Sequence, residues 1–284
     1  MAGAKAKKGG SGSPDLASLL GLVVGFGGIL GGMMLEKGEL RHLYQISAAI
    51  IVLGGTFGAV MVTTPMNVLM RAVKQLMMVF FDASPSPAAT IDEIIEYATQ
   101  ARKQGIVSLE QAADNMSDPF LKKALNLAVD GIEMSQIRGI MELDISLVEH
   151  EGESVAKVYE AAGGYAPTIG IIGAVIGLIH VMQNLADIEA VGKGIASAFV
   201  ATIYGVGTAN LFFLPAGSKL RARMQVKVQI RELMLEGVLS IVEGLNPKLI
   251  RTKLDAYLAE QHAGGKKASA AKGKAAGQPV SAEG

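Results

Sequence analysis

The sequence predicts an all-α integral membrane protein with four transmembrane helices in two hairpins and a helical cytoplasmic domain. Three observations carry this expectation. Half of the 284 residues are hydrophobic and only 18% are charged, against roughly a quarter charged in ordinary soluble domains. The apolar residues fall in four blocks, 16–35, 46–64, 166–186 and 195–214, each about 20 residues, the length that crosses a hydrocarbon core. Nowhere does the period-two alternation of a strand hold convincingly. The formal net charge is zero, so no strongly charged partner such as nucleic acid is implied. Cysteine is absent, which excludes disulfides, thiol catalysis and thiolate metal sites.

Residues 1–15 are rich in Gly, Ser and Lys and read as a disordered tail. The first block follows Lys5, Lys7 and Lys8, as a signal peptide would, but it is too long for one. Met33-Met34-Leu35-Glu36 offers no small-residue cleavage site, so the helix is retained. Residues 36–45 and 187–194 are short connections that hold only Lys37, Arg41 and Lys193 among the basic residues. Arg71, Lys74, Lys157, Lys219, Arg221, Arg223 and Lys227 lie near the opposite helix ends, with the N-terminal lysines. The positive-inside rule then places both termini and residues 65–165 in the cytoplasm.

Residues 65–165 read as helical throughout. Thr90 with Glu93 forms a capping box, followed by an apolar face of Ile91, Ile94, Ile95 and Ala98 and stopped by Gly105. Ser108 with Gln111 suggests a second box. Asp118-Pro119 opens a helix through Leu121, Leu125 and Val129, ended by Gly131. A long helix from Ser135 to about Ala162 leads towards the membrane, and Pro167 opens the third span at its first turn. Residues 215–258 continue the fourth span as cytoplasmic helices, and 259–284 are an Ala-, Gly- and Lys-rich disordered tail.

Small residues recur at helical spacing within the spans: Gly21, Gly25, Gly28 and Gly32; then Gly170, Gly173, Ala174 and Gly177; then Ala198, Ala201, Gly205 and Ala209. They permit close backbone approach in lipid. Either the spans pack tightly within the chain, or the third and fourth line a narrow space around another helix. Thr202, Tyr204 and Thr208 bring hydroxyls near that face. No Asp or Glu lies within the four blocks, although a proton path usually uses an intramembrane carboxylate. His180 is the one residue among Asp, Glu, Lys, Arg and His inside the blocks and is either proton-linked or a hydrogen-bond donor to a neighbouring helix. A partner helix would otherwise supply the carboxylate. The four histidines show no metal-ligand spacing, and no nucleophile motif is present, so neither an enzyme nor a cofactor is expected.

The two-plus-two plan with a helical insert resembles the MotA/PomA family of flagellar stator subunits. The segments that carry the resemblance are Ala166-Pro167-Thr168-Ile169-Gly170 through Leu178, Ala201-Thr202-Ile203-Tyr204-Gly205, and Phe213-Leu214-Pro215. Ala101-Arg102-Lys103-Gln104-Gly105, Asp118-Pro119-Phe120-Leu121 and Asn246-Pro247 extend it over nearly the whole chain. The resemblance implies a ring of copies around a pair of MotB-like single-span partners, each carrying the channel aspartate. Ion flow past that aspartate would drive rotation of the ring against a FliG-like rotor protein. It implies Arg102, Lys103 and Glu110 as the rotor contact, and Pro167, Ala174, Thr202, Tyr204 and Pro215 as the ion path and torque unit. Gln111 and Ala113 stand where some members have acids, which thins that contact.

Sodium-using members carry threonine where this chain has Ala174, and a threonine pair where it has Ala201-Thr202. A methyl is no ligand for a hard cation, so H+ is favoured over Na+. The rival expectation is an ExbB/TolQ-like energiser of an envelope process, whose members have three spans and a cytoplasmic section after the first. A solute carrier would show paired repeats and broken helices, which are absent from the pattern.

Overall fold

The computed structural model describes residues 13–38, 40–82, 86–114, 116 and 118–259. The two predicted tails, apart from Ser13–Asp15 and Ala259, lie outside them. Among the described residues four helices are long and apolar enough to cross a membrane: Leu16–Leu35, Ile46–Thr63, and the apolar parts of Met134–Gln183 and Ile188–Val242. The first two match the predicted spans. The second ends one residue early, at Thr64 with φ −125° and ψ 130°, because the residue before Pro65 is held out of the α region. Among the described residues the extended pairing is limited to Ser13–Pro14 against Phe81–Asp82, too short for any alternation to register.

The third and fourth spans belong to helices that begin before their predicted starts, and the third ends at Gln183, short of the predicted 186. Met134–Gln183 is one helix with Pro167 in its interior, so Pro167 does not open the third span as expected. A proline there forfeits one i→i−4 bond, which a long and otherwise well-packed helix tolerates. The fourth span starts at Ile188 rather than 195. Asp187 caps it, accepting from the N–H groups of Glu189 and Ala190 at 2.9 and 3.2 Å, and Glu189 lies in its first turn. Acids at that end complement the helix dipole; the charges that suggested a loop are start signals. Two π-turns interrupt the spans, Ile50–Gly54 in the second and Ala209–Phe213 in the fourth.

The chain divides into two compact units, residues 1–84 with 148–225, and residues 85–147 with 226–284. The second holds a core of Ile91, Ile94, Leu121, Leu125, Ile137, Met141, Leu233, Val238, Ile250 and Leu254. Full burial of each large aliphatic chain there contributes about 2 kcal/mol. Asp118 caps its helix as predicted, accepting from Phe120 and Leu121 N–H at 2.8 and 3.1 Å. Gly131, at φ +73°, ends that helix. Ile132 N–H bonds Leu127 C=O and Gly131 N–H bonds Ala128 C=O, the paired bonds of a Schellman stop. Glu236 accepts from Lys253 at 2.6 Å and Arg138 at 3.2 Å. Burial raises its carboxyl pKa, but the two cations prevail and hold it below the ordinary value.

Neither predicted capping box forms. The helix Pro87–Gln104 starts a turn earlier than Thr90, with Ser86 before Pro87; a proline at the first helical position is preorganised for it. Thr90 is buried and donates to Ser86 C=O at 3.3 Å, while Glu93 accepts from Tyr97 O–H at 2.8 Å. Ser108 likewise turns back, donating to Gly105 C=O at 2.7 Å. Gly105 does end the helix, at φ +83° and ψ 160°, a region almost reserved for glycine and beyond the left-handed cap expected.

Candidate functional site: the paired third and fourth spans

The third and fourth spans meet through glycine and alanine. A Cβ placed on Gly205 would lie 2.5 Å from the Ala166 carbonyl oxygen and 3.0 Å from Gly170 Cα. One on Gly170 would lie 3.0 Å from the Ala201 oxygen, and one on Gly177 3.0 Å from Ala198 N and the Gly194 oxygen. A Cβ on Gly173 would lie 2.8 Å from the Ala201 methyl and 3.3 Å from Ile51. Backbone therefore packs on backbone for several turns, where van der Waals contact replaces the missing hydrophobic drive. Of the two readings of these small residues, packing within the chain accounts for Gly170, Gly173, Gly177, Ala198, Ala201 and Gly205. The glycines of the first span behave differently: a Cβ on Gly21, Gly28 or Gly32 would meet nothing within 4 Å, whereas one on Gly25 would lie 3.1 Å from Leu211.

The predicted torque-unit residues cluster on this hairpin. Ala174 and Thr202 are half-buried and flank the Gly173–Ala201 contact in sequence. Thr202 donates to Ala198 C=O at 3.3 Å, and Thr208 to Tyr204 C=O at 2.6 Å, so both hydroxyl hydrogens are used within their own helix. Tyr204 instead reaches the second span's entry, donating to Leu43 C=O at 2.5 Å and accepting from Gln45 N–H at 3.4 Å. The turns around the two prolines touch. Pro167 lacks the N–H that would bond Gly163 C=O, and a Cβ on Gly163 would meet Leu214, the residue before Pro215, at 2.5 Å. The π-turn Ala209–Phe213 closes with Leu214 N–H on Ala209 C=O, directly before Pro215. This widened turn accommodates the proline in the sequence of hydrogen bonds.

His180 is exposed on the third span, and no hydrogen bond or ion pair among the described residues joins its side chain to Thr202 or Tyr204. The surrounding face is apolar and open, with Ile172, Val175, Ile176 and Ile179 each about half exposed. Arg102 and Lys103 end the helix Pro87–Gln104, and Glu110 opens Leu109–Asp114; all three are exposed. Ala113 is fully buried and serves the core of its unit, which explains an alanine there. Among the described residues no group of His, Cys, Asp or Glu could hold a metal ion.

Pattern reading missed an ionic cluster at the start of the first span. Asp15 caps Leu16–Leu35 through Ser18 N–H at 3.2 Å, and its own N–H bonds Phe80 C=O at 2.8 Å. Its carboxylate pairs with Lys219 and, at 2.8 Å, with Arg223, while Arg223 also donates to Phe81 C=O. Lys219 chiefly, and then Arg223 against the opposing cost of burial, hold the Asp15 carboxyl far below the usual carboxylate range. Tyr159 donates to Ala72 C=O at 2.8 Å, and burial pushes its phenol up to about 12. Its neighbour Glu160 pairs with Arg221 at 2.6 Å.

Four helices long and apolar enough to cross a membrane, the third and fourth packed backbone to backbone through glycine and alanine, define a multi-span membrane subunit built on close helix packing. The chain belongs to the MotA/TolQ/ExbB proton channel family, whose model matches residues 112–233, while the model of the motility protein A N-terminal region matches residues 19–105. It is 36% identical to motility protein A of Bacillus subtilis over 86% of this chain and 91% of that one. Chemotaxis protein PomA of Vibrio alginolyticus is 34% identical over 87% and 96%. The fold matches a chain of the C. jejuni MotAB structure with a TM-score of 0.82 at 32% identity, covering 86% of this chain and 95% of that one. It also matches the flagellar MotAB stator complex from Bacillus subtilis at 0.80 and 35%, covering 87% and 98%.

Proposed function

We propose that this chain is a flagellar motor stator subunit that, with a MotB-like single-span partner, forms an ion channel and converts proton flow across the inner membrane into torque on the rotor. The observation that carries the reading is likeness over most of the chain to motility protein A and to the chains of MotAB stator complexes, joined to apolar blocks 166–186 and 195–214 that hold no acid. The partner helix supplies the carboxylate. Each elementary charge crossing 100 mV releases about 2.3 kcal/mol, an adequate source for rotation. The four-span plan and the match of residues 19–105 to the motility protein A N-terminal region favour this over an ExbB/TolQ-like energiser.

In this reading several copies ring the partner pair, both termini are cytoplasmic, and Arg102, Lys103 and Glu110 contact a FliG-like rotor protein. Their exposure supports that role. Pro167 and Pro215, packed turn against turn through Gly163 and Leu214, mark where the third and fourth spans change shape as the ring moves. Protons are the coupling ion in this reading because Ala174 offers a methyl, and no oxygen, where sodium-using members carry threonine.

The test is complementation in the source organism. Deletion of the gene is expected to leave flagella assembled but paralysed, and the wild-type chain to restore swimming at a speed independent of external sodium at fixed pH and membrane potential. Arg102→Glu with Lys103→Glu should reduce swimming without lowering the amount of membrane-inserted protein, and Pro215→Ala should reduce torque. Motile deletion cells would sink the stator reading, and speed that tracks sodium would sink the proton assignment.

A further inference from the structure

A cavity of about 400 Å³ lies between the first and fourth spans, and no step of the proposed function uses it. Its walls are Gly21 and Leu22 on one side and Leu211, Phe212 and Ala216 on the other, with Val79 and Phe80 beneath. Two attachments bound it. At the deep end Gly25 meets Leu211; at the other, Asp15 meets Lys219 and Arg223. Between them the first span leaves every one of its residues unburied. The lining is mostly apolar, with Ser18 and Asn210 as neutral polar exceptions, and its one charged group, Lys219, stands at one end.

Its dimensions identify an occupant. Along the fourth span the lining runs from Asn210 to Lys219, about 14 Å of helix rise. That is close to the hydrocarbon thickness of a single leaflet, about 15 Å. An apolar slot one leaflet deep, opening beside a cation at the headgroup level, has the form of a lipid site between membrane helices. The Lys219 ammonium carries three donors. It is one-third exposed, so a second acceptor can reach it beside the Asp15 carboxylate.

We propose that this cavity takes one acyl chain of an anionic phospholipid from the leaflet on the side of the Asp15–Lys219 cluster, with the headgroup phosphate accepting from Lys219. The lipid would fill the space that the first span leaves open and tie that span to the fourth by packing. The inference needs the four spans to lie in a bilayer and nothing more of the stator reading.

The test uses the full chain purified with its co-expressed partner and placed in lipid nanodiscs. The probe is phosphatidylglycerol carrying a diazirine on one acyl chain, compared with phosphatidylcholine carrying the same tail, and labelled peptides are mapped. Phosphatidylglycerol is expected to label residues 17–22 and 210–216 in preference to phosphatidylcholine. Gly21→Leu projects into open space and should abolish that label, while Gly28→Leu, equally unobstructed but outside the lining, should keep it. Lys219→Gln should erase the headgroup preference and Lys219→Arg should retain it. Labelling that survives Gly21→Leu, or that shows no headgroup preference in the wild type, would overturn the assignment. So would disulfide-linked pairs of a Gly21→Cys variant, since they would put a second copy in the slot. None of these readouts depends on motility, so a failure here leaves the stator reading untouched.

Discussion

Gly205→Ala is expected to abolish swimming and to lower the thermal midpoint of the detergent-solubilised protein, although it adds a single methyl group. The new carbon would stand 2.5 Å from the Ala166 carbonyl oxygen and 3.0 Å from Gly170 Cα. Ordinary carbon contacts lie at about 3.5–4.0 Å. Both obstacles are backbone, so no rotamer change relieves them and the two helices must part. Overpacking of this kind costs about 3 kcal/mol, the upper end of its usual range. Other substitutions calibrate the result. Gly170→Ala meets the Ala201 oxygen at 3.0 Å and Gly205 Cα at 3.2 Å, so its loss should be smaller. Gly192 is exposed in the same helix as Gly205 and has nothing within 4 Å. Alanine there should be neutral or slightly stabilising, because alanine exceeds glycine in helix propensity by about 1 kcal/mol. Midpoints measured on the three variants should fall in that order. A Gly205→Ala protein that melts and swims like the wild type would mean the third and fourth spans are not in contact through this face.

The spans were legible because an uncharged run of about 20 residues is rare outside a bilayer, and Asp118 and Gly131 because cap chemistry is local. What escaped the sequence was decided by competition or by distance. Thr90 and Glu93 satisfy a capping box, yet Ser86-Pro87 offers a start one turn earlier, and the extra turn buries Thr90 against the core. Pro167 carries the signal of a helix start, but continuity with the preceding helix sacrifices only one hydrogen bond. The π-turns at Ile50–Gly54 and Ala209–Phe213 leave no mark in a hydropathy pattern. For the site, proline and threonine positions could be proposed by resemblance, but the partner of each small residue could not. Gly170 and Gly205 are as uniform in sequence as Gly21 and Gly28, and only packing distinguishes them. Asp15 was beyond reach in a different way. It stands in a Gly- and Ser-rich segment, and Arg223 lies 208 residues further along the chain.

That distant pair carries the second large effect. Asp15→Asn is expected to release the first span from the fourth while leaving the rest of the chain folded. Arg223 and Asp15 are 9% and 12% exposed, so removing the carboxylate's charge leaves a poorly hydrated guanidinium with one fewer counter-charge. Breaking a pair of that kind costs on the order of 3 kcal/mol. The first span has little to set against the loss, because it buries none of its own residues and touches the fourth through Gly25 and Leu211. Lys219 would lose the same partner. Amide hydrogen exchange should therefore rise over residues 13–22 and 77–82 in the variant, with residues 118–130 unchanged; equal protection in variant and wild type would remove the cluster from any role in holding the span. The pH dependence follows from the direction of the shift. The folded-state pKa of Asp15 is depressed, so its contribution is complete above the unfolded value of 3.8 and declines as pH falls through the lower folded-state value. Protection of residues 13–22 in the wild type should hold level from neutral pH down to the ordinary carboxylate range and fail only in stronger acid. In Asp15→Asn the same residues should exchange fast throughout, with no step in that acid window.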